Sequence, residues 1–320
     1  MADLFHDGFD HLTAADTIAF WGAGSSVNLA AGRWSGYCIY SGAGTANVSR
    51  LFGSNYATLT VGFACKLQSI TVGDILFEYL DAGSRQIEIR VAASGYLTIT
   101  RNGTLLATST TALLVSQWYY LELKVSFDPS SGSAELRING HATTFSGNTS
   151  ATSHAYANQI YLHCYHYVDD FYCFDDSGAI NNTFAGECRI VAYVPTADDA
   201  VQWNPNTGTN HACAATDDGD TGYNSTDTPG QADTFAMTTA TDLGPILAIG
   251  VVVNHRKDDV GTVQTEAVVK SGGTSYYGVA ADALSAYVPF ETIWEVDPHD
   301  ANSFTPAKLN TEFFGYNRAT

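Results

Sequence analysis

Trp118-Tyr119-Tyr120-Leu121-Glu122-Leu123-Lys124-Val125-Ser126-Phe127 runs straight into Asp128-Pro129-Ser130-Ser131-Gly132 and then into Ser133-Ala134-Glu135-Leu136-Arg137-Ile138-Asn139-Gly140. Apolar and polar residues alternate through both long runs, the period-two signature of a strand with one buried face. The segment between them is turn chemistry, and Asn-Gly is the dipeptide that best tolerates the positive φ angles of a tight hairpin. Two amphipathic strands joined in this way cannot bury their apolar faces alone. They require more strands and a second layer.

Moving outward, the pattern recurs. Residues 57–66 place Leu59, Val61, Phe63 and Cys65 on one face. Ile87-Glu88-Ile89-Arg90-Val91 and Tyr96-Leu97-Thr98-Ile99-Thr100 repeat it, the second ending at Asn102-Gly103. No window of about 11 residues combines helical apolar spacing with matching caps, so helices are not expected. Strands of this length and spacing predict an antiparallel sandwich or barrel.

Composition agrees with a folded chain: 45% of residues are hydrophobic and 15% charged, too apolar for an acidic disordered protein. The 33 acidic residues outnumber 14 basic ones, a net charge of −19 that argues against nucleic acid and against anionic membrane surfaces. Pro245-Ile246-Leu247-Ala248-Ile249-Gly250-Val251-Val252-Val253 is the longest apolar run. A membrane helix needs about 20 such residues, so this run reads as a buried strand and no membrane insertion is expected. Met1-Ala2-Asp3-Leu4-Phe5-His6-Asp7 has neither a basic nor an apolar signal region, so synthesis in a cytoplasm without a signal peptide is expected. Cys38, Cys65, Cys164, Cys173, Cys188 and Cys213 stand singly, without the paired spacing of a zinc site. They read as buried thiols, with disulfides open to a chain that ends up outside a cell.

Composition shifts after Pro195. Residues 198–233 hold seven acidic residues and no Lys or Arg, with abundant Gly, Thr, Asn and Pro, and read as long loops or as the opening strands of a second unit introduced by Val201-Gln202-Trp203. Strands resume over 246–255, 261–271, 275–279, 292–296 and 312–317, with turns at Asp258-Asp259-Val260-Gly261 and Ser271-Gly272-Gly273-Thr274. The expected architecture is all-β: two antiparallel β-sandwiches, residues 1–197 and a smaller sandwich over 198–320. The first carries 9 basic and 16 acidic residues, the second 5 and 17, so the smaller unit is the more acidic.

The run from Tyr79 to Gly140 resembles the concanavalin-A-like (laminin-G-like) jelly roll. Phe77-Glu78-Tyr79, Ile87-Glu88-Ile89, Gly95-Tyr96-Leu97, the Trp118-x-x-Leu121-Glu122 strand and the Gly132 to Gly140 hairpin carry the likeness. Val168-Asp169-Asp170-Phe171 is similar to a late strand of those domains. Three further pieces resemble a subset of that superfamily found as bacteriophage virion structural proteins. They are Asp7-Gly8-Phe9-Asp10-His11, the stretch from Asp175-Asp176-Ser177-Gly178 to Phe184-Ala185-Gly186-Glu187-Cys188-Arg189-Ile190, and Arg256-Lys257-Asp258-Asp259-Val260-Gly261 with Val268 to Thr274. The resemblance implies a jelly roll with a buried Trp118 in the first unit. It also implies a place in the virion, as a tail, baseplate, fibre or capsid decoration component. Its partners would be other virion proteins and further copies of itself, and no enzyme activity is required.

Glycosidases share such sandwiches and need two carboxyl groups about 5–5.5 Å apart for retaining hydrolysis. Glu78 and Asp81 have the wrong spacing, and Glu88, Glu122 and Glu135 read as solvated outer-face residues. No nucleophile elbow, P-loop or dinucleotide glycine motif is present. Asp169, Asp170, Asp175 and Asp176 around one strand, and Asp217, Asp218 and Asp220 in the acidic loop, are calcium candidates, since that cation takes 6–8 oxygens. Against this, Asp is favoured in turns for its own backbone hydrogen bonds. His163-Cys164-Tyr165-His166 would be a metal pair only if the chain bent sharply, and the aromatic residues around it suit hairpin packing. Eighteen Tyr and five Trp make a lectin-like protein recognising a host surface glycan the main alternative to a virion building block.

Overall fold

The alternating segments pair as strands in a computed structural model that describes residues 2–41, 46–241, 244–258 and 260–320. Asp259, in the expected turn at 258–261, lies outside the described residues. The chain divides into Met1–Val191 and Ala192–Thr320. The expected boundary at 197/198 falls instead within strand Pro195–Ala200, which pairs with Ala232–Met237 in the second unit.

The first unit is a sandwich of two antiparallel sheets. One runs in the order His141–Gly147, Gly132–Ile138, Trp118–Ser126, Thr58–Lys66, Tyr167–Phe174, Tyr37–Tyr40, Asn28–Ala31, with Asp3–Asp7 also on Tyr167–Phe174. The other runs Thr104–Ala112, Tyr96–Arg101, Ser84–Val91, Ile75–Asp81, Ala157–His163, Asn47–Tyr56, Ala23–Ser25. Between them lie the alternating residues read from the sequence: Leu59, Val61, Phe63, Cys65, Ile87, Ile89, Leu121 and Leu123 are all fully buried. Phe63, Phe77 and Phe171 meet at ring distances of 6.0–6.5 Å, within the range of favourable aromatic pairing. Asn102-Gly103 and Asn139-Gly140 turn with positive φ at both residues, as expected.

A helix that periodicity did not predict spans Ala14–Trp21. It is shorter than the window needed to detect a repeat, but its ends are signalled. Thr13 accepts from the Asp16 N–H, and Gly22 ends the helix at φ 95°. Its Phe20 and Trp21 pack on Phe5, and Trp21 also meets Phe171. Two shorter helices, Asn210–Ala214 and Pro306–Leu309, lie in the second unit. No described helix is long and apolar enough to cross a membrane.

The second unit is built on a sheet ordered Pro195–Ala200, Ala232–Met237, Phe313–Arg318, Gln264–Ser271, Thr274–Tyr277, with Ala281–Asp282 also on Gln264–Ser271. The antiparallel pair Ile249–His255 and Val288–Trp294 forms a second layer, its first strand packing on Gln264–Ser271 and Phe313–Arg318. The apolar run at 245–253 therefore becomes a half-buried strand starting at Ile249 rather than a fully buried one. The acidic loop is tied down by one buried carboxylate: Asp233 accepts from the N–H groups of Gln202 and Trp203 and from the Asn210 amide.

Candidate functional site

The outer faces of the two sheets of the first unit differ. On the first sheet, Trp118, Tyr120, Glu122, Tyr172 and Phe174 point away from the core, and the segment after Asp175 crosses them as a strap. Ala185 and Cys188 pack on the Ala64, Tyr120, Tyr172, Phe174 cluster. Glu122 accepts from the Tyr172 hydroxyl at 2.6 Å and from the Gly186 N–H at 2.8 Å. Arg137 lies over the Phe184 ring at 3.7 Å. Trp118, expected to be buried, is half-buried in this cluster with the Lys66 ammonium 4.7 Å from its ring centre.

The second sheet carries a polar row across its outer face. Ser49, Tyr161, Glu78, Glu88 and Thr100 stand opposite one another in successive strands. Glu88, expected in solvent, is completely buried among Arg90, Arg85 and Thr100, and Glu122 is nearly so beneath Tyr172 and the strap. Arg90 clasps Glu88 with two hydrogen bonds of 2.7 and 2.9 Å, and Thr100 donates to it at 2.5 Å. Arg85 bridges Glu78 and Glu88 at 2.8 and 3.5 Å. Burial pushes the Glu88 carboxyl up, but the hydrogen bonds from Arg90 and Thr100 and the two guanidinium charges outweigh it and hold the group below its ordinary value. A carboxylate so saturated does not supply the proton that glycoside cleavage needs.

Beyond Tyr161 this face runs into a groove of about 590 Å³ where the turn after Asp81 meets strand Asn47–Tyr56. Leu51, Phe52 and Tyr161 give it apolar and aromatic surface; Ser54, Asn55, Asn158 and Gln159 give it hydroxyl and amide groups. The turn forms one wall because Ala82 and Gly83 both adopt positive φ, the geometry of a tight two-residue hairpin. An irregular register at Asn158 brings its amide to that wall: it accepts from the Ala82 N–H at 2.8 Å and donates to Asn55 at 2.9 Å. Neither the amides nor Tyr161 were singled out by sequence as ligands. The outward alternation of Gln159, Tyr161 and His163 was the available signal, but nothing in it distinguishes a groove from a flat face.

The calcium candidates disperse. Asp169 and Asp170 lie within strand Tyr167–Phe174 at a bulge, not in flanking turns. Asp169 accepts from the Arg33 N–H at 2.7 Å, Asp170 from the Ile190 N–H at 2.8 Å, and the Arg33 guanidinium sits 3.7 Å from Asp170. The positive charge facing this pair is therefore an arginine. Asp175 caps the turn at Ser177, and Asp176 is exposed. Asp217 accepts from Asn254, Asp220 pairs with Arg256 at 2.9 Å, and Asp218 precedes the short turn Gly219–Thr221. Among the described residues no group of three or more His, Cys, Asp or Glu is arranged to hold a metal ion. His163 lies 3.5 Å from Glu78, whereas His166 accepts from the Gln68 N–H and burial pushes it down to about 4, so the two do not form a pair. All six cysteines are free thiols, and burial raises Cys38, Cys65 and Cys188 to about 12.

No protein-family model matches the chain, and no curated protein matches it. Solved structures superpose in part. Domain 4 of AbnA, an extracellular arabinanase of family GH43 from Geobacillus stearothermophilus in complex with arabinotriose, is 16% identical (48% of this chain, 77% of that one, TM-score 0.33). Lectin II from Ulex europaeus is 9% identical (54% and 99%, TM-score 0.36). The galectin LEC-6 from Caenorhabditis elegans is 12% identical (39% and 89%, TM-score 0.30). Likenesses this distant carry no argument about ligand, activity or partners, and the chain stands as an all-β protein whose first unit is a jelly-roll sandwich.

Proposed function

We propose that the protein is a non-enzymatic carbohydrate-binding β-sandwich protein and that the groove beside Tyr161 is its binding site. One observation carries the reading: two aromatic rings and three amide side chains meet in a groove on the outer face of the second sheet. An aromatic face offers apolar area to a sugar ring, and amides offer both donors and acceptors to its hydroxyls. The saturated state of Glu88 favours binding over cleavage.

The test is a glycan array followed by titration calorimetry on the best ligand. Tyr161→Ala is expected to weaken binding by roughly ten-fold or more, the equivalent of losing about 1.4 kcal/mol of stacking. Binding that survives this change at full strength would place the site elsewhere.

A second reading, membership of a phage particle, rests on the order of the opening, late and C-terminal motifs along the chain. A protein of the virion surface that holds a host glycan would satisfy both readings, with other virion proteins and further copies of itself as neighbours. Mass spectrometry of purified particles tests it, and absence of the chain from them removes it.

A further inference from the structure

The groove carries a charge pattern unlike that of its chain. The protein has a net charge of −19, yet no charged side chain lines the groove. The nearest ionised groups on the same face are already matched to one another. Arg85 is held between Glu78 and Glu88, and Arg90 is clasped to Glu88. Asp81, at the head of the turn that walls the groove, accepts from Thr152 and pairs with His154 at 2.8 Å. What faces the ligand is uncharged and keeps spare capacity. Asn158 spends one amide hydrogen on Asn55, leaving its second, while Asn55 retains its own amide donors.

From this we infer that the groove selects uncharged saccharides and discriminates against their acidic counterparts. A uronate or sulfated sugar entering it would shed water from its charge and find no free cation in return. Even partial desolvation of a charge that gains no partner costs affinity. The net negative charge of the whole chain adds long-range repulsion that weakens as salt is raised. A neutral sugar meets neither cost. This inference rests on the groove being a carbohydrate site, and the experiment separates the two claims.

Matched oligosaccharide pairs that differ in charge only at C6 are titrated into the full chain: cello-oligosaccharides against β-1,4-oligoglucuronate, and β-1,4-mannan fragments against β-1,4-oligomannuronate. The neutral member of at least one pair is expected to bind, with its uronate at least roughly ten-fold weaker in low salt. Gln159→Lys, which places one cation in the groove, is expected to narrow or reverse that ratio. Uronate binding equal to or tighter than neutral binding overturns the selectivity and leaves the carbohydrate reading standing. Binding of no member of either pair, confirmed across a broad glycan array, overturns both. Unchanged selectivity in a folded Gln159→Lys protein also counts against the inference, because it would mean that the lining does not set it.

Discussion

Glu88 shows how a residue can look solvated in sequence and be buried in the fold. Its neighbours Ile87 and Ile89 face the core, so alternation puts Glu88 on the outer face, and that part of the reading holds. Alternation along one strand does not show that Arg90 and Thr100 fold over it, because Thr100 arrives from the next strand. Glu88→Gln is expected to cost about 2 kcal/mol by unpairing the Arg90 guanidinium. Its carboxyl lies below the ordinary value of 4.5, so its stabilising contribution is complete above that pH and is lost as pH falls further. Acid unfolding followed by circular dichroism should show a smaller loss below pH 4.5 in Glu88→Gln than in the parent. Asp169 has the opposite sign. Burial first, and then the neighbouring Asp170, raise it to about 7 against the Arg33 and Asp170 N–H bonds, with Asp10 nearby adding to the rise. The folded state therefore holds this proton more tightly than the unfolded chain, whose aspartates titrate near 3.8. Its contribution is full below that pH and is lost as pH rises to about 7. The melting temperature is expected to fall between about pH 4 and pH 7, and Asp169→Asn should flatten that slope.

The strap over the first sheet depends on a glycine. At Gly62 a Cβ would lie 2.2 Å from the Tyr172 ring, whose hydroxyl holds Glu122 and accepts from the Ala185 N–H. Gly62→Ala is expected to displace that ring, cost about 2 kcal/mol or more, and expose residues 178–190 to faster hydrogen exchange and proteolysis. Protection of the strap equal to that of the parent would show that Tyr172 does not anchor it. The strap also marks how far the sequence could be read. Strands were legible because burial of one face imposes period two, and the Asn-Gly hairpins because positive φ selects those residues. Residues 176–191 form no strand or helix, so no periodicity records that they cover the first sheet and leave the second sheet as the face that bears a groove. The helix Ala14–Trp21 was lost for a related reason: eight residues complete too few turns to establish a repeat, and only its caps announced it. In the groove, Asn55, Asn158 and Tyr161 come from two strands and meet the turn after Asp81, a convergence that only the sheet order produces.

The change in composition after Pro195 reflects a change of folding unit, but the boundary lies earlier, at Val191/Ala192, because Pro195–Ala200 is an edge strand of the second unit's main sheet. Three of its six residues would be removed by starting a fragment at 198, leaving Pro195, Thr196 and Ala197 unavailable to Ala232–Met237 and to the Thr196–Ala236 hydrogen bond. A fragment of residues 1–191 keeps both sheets of the sandwich, the strap and the entire groove lining. It is expected to fold on its own, with dispersed amide resonances, and to bind the same glycan as the full chain within about two-fold. A fragment of residues 192–320 should also fold, and one of 198–320 should melt at a lower temperature, since an open edge and unpaired backbone groups replace a hydrogen-bonded strand. If 1–191 folds but loses the ligand, the groove by itself is not sufficient for recognition. If 192–320 and 198–320 melt together, Pro195–Ala200 contributes nothing to its sheet, and the boundary belongs where the composition changes.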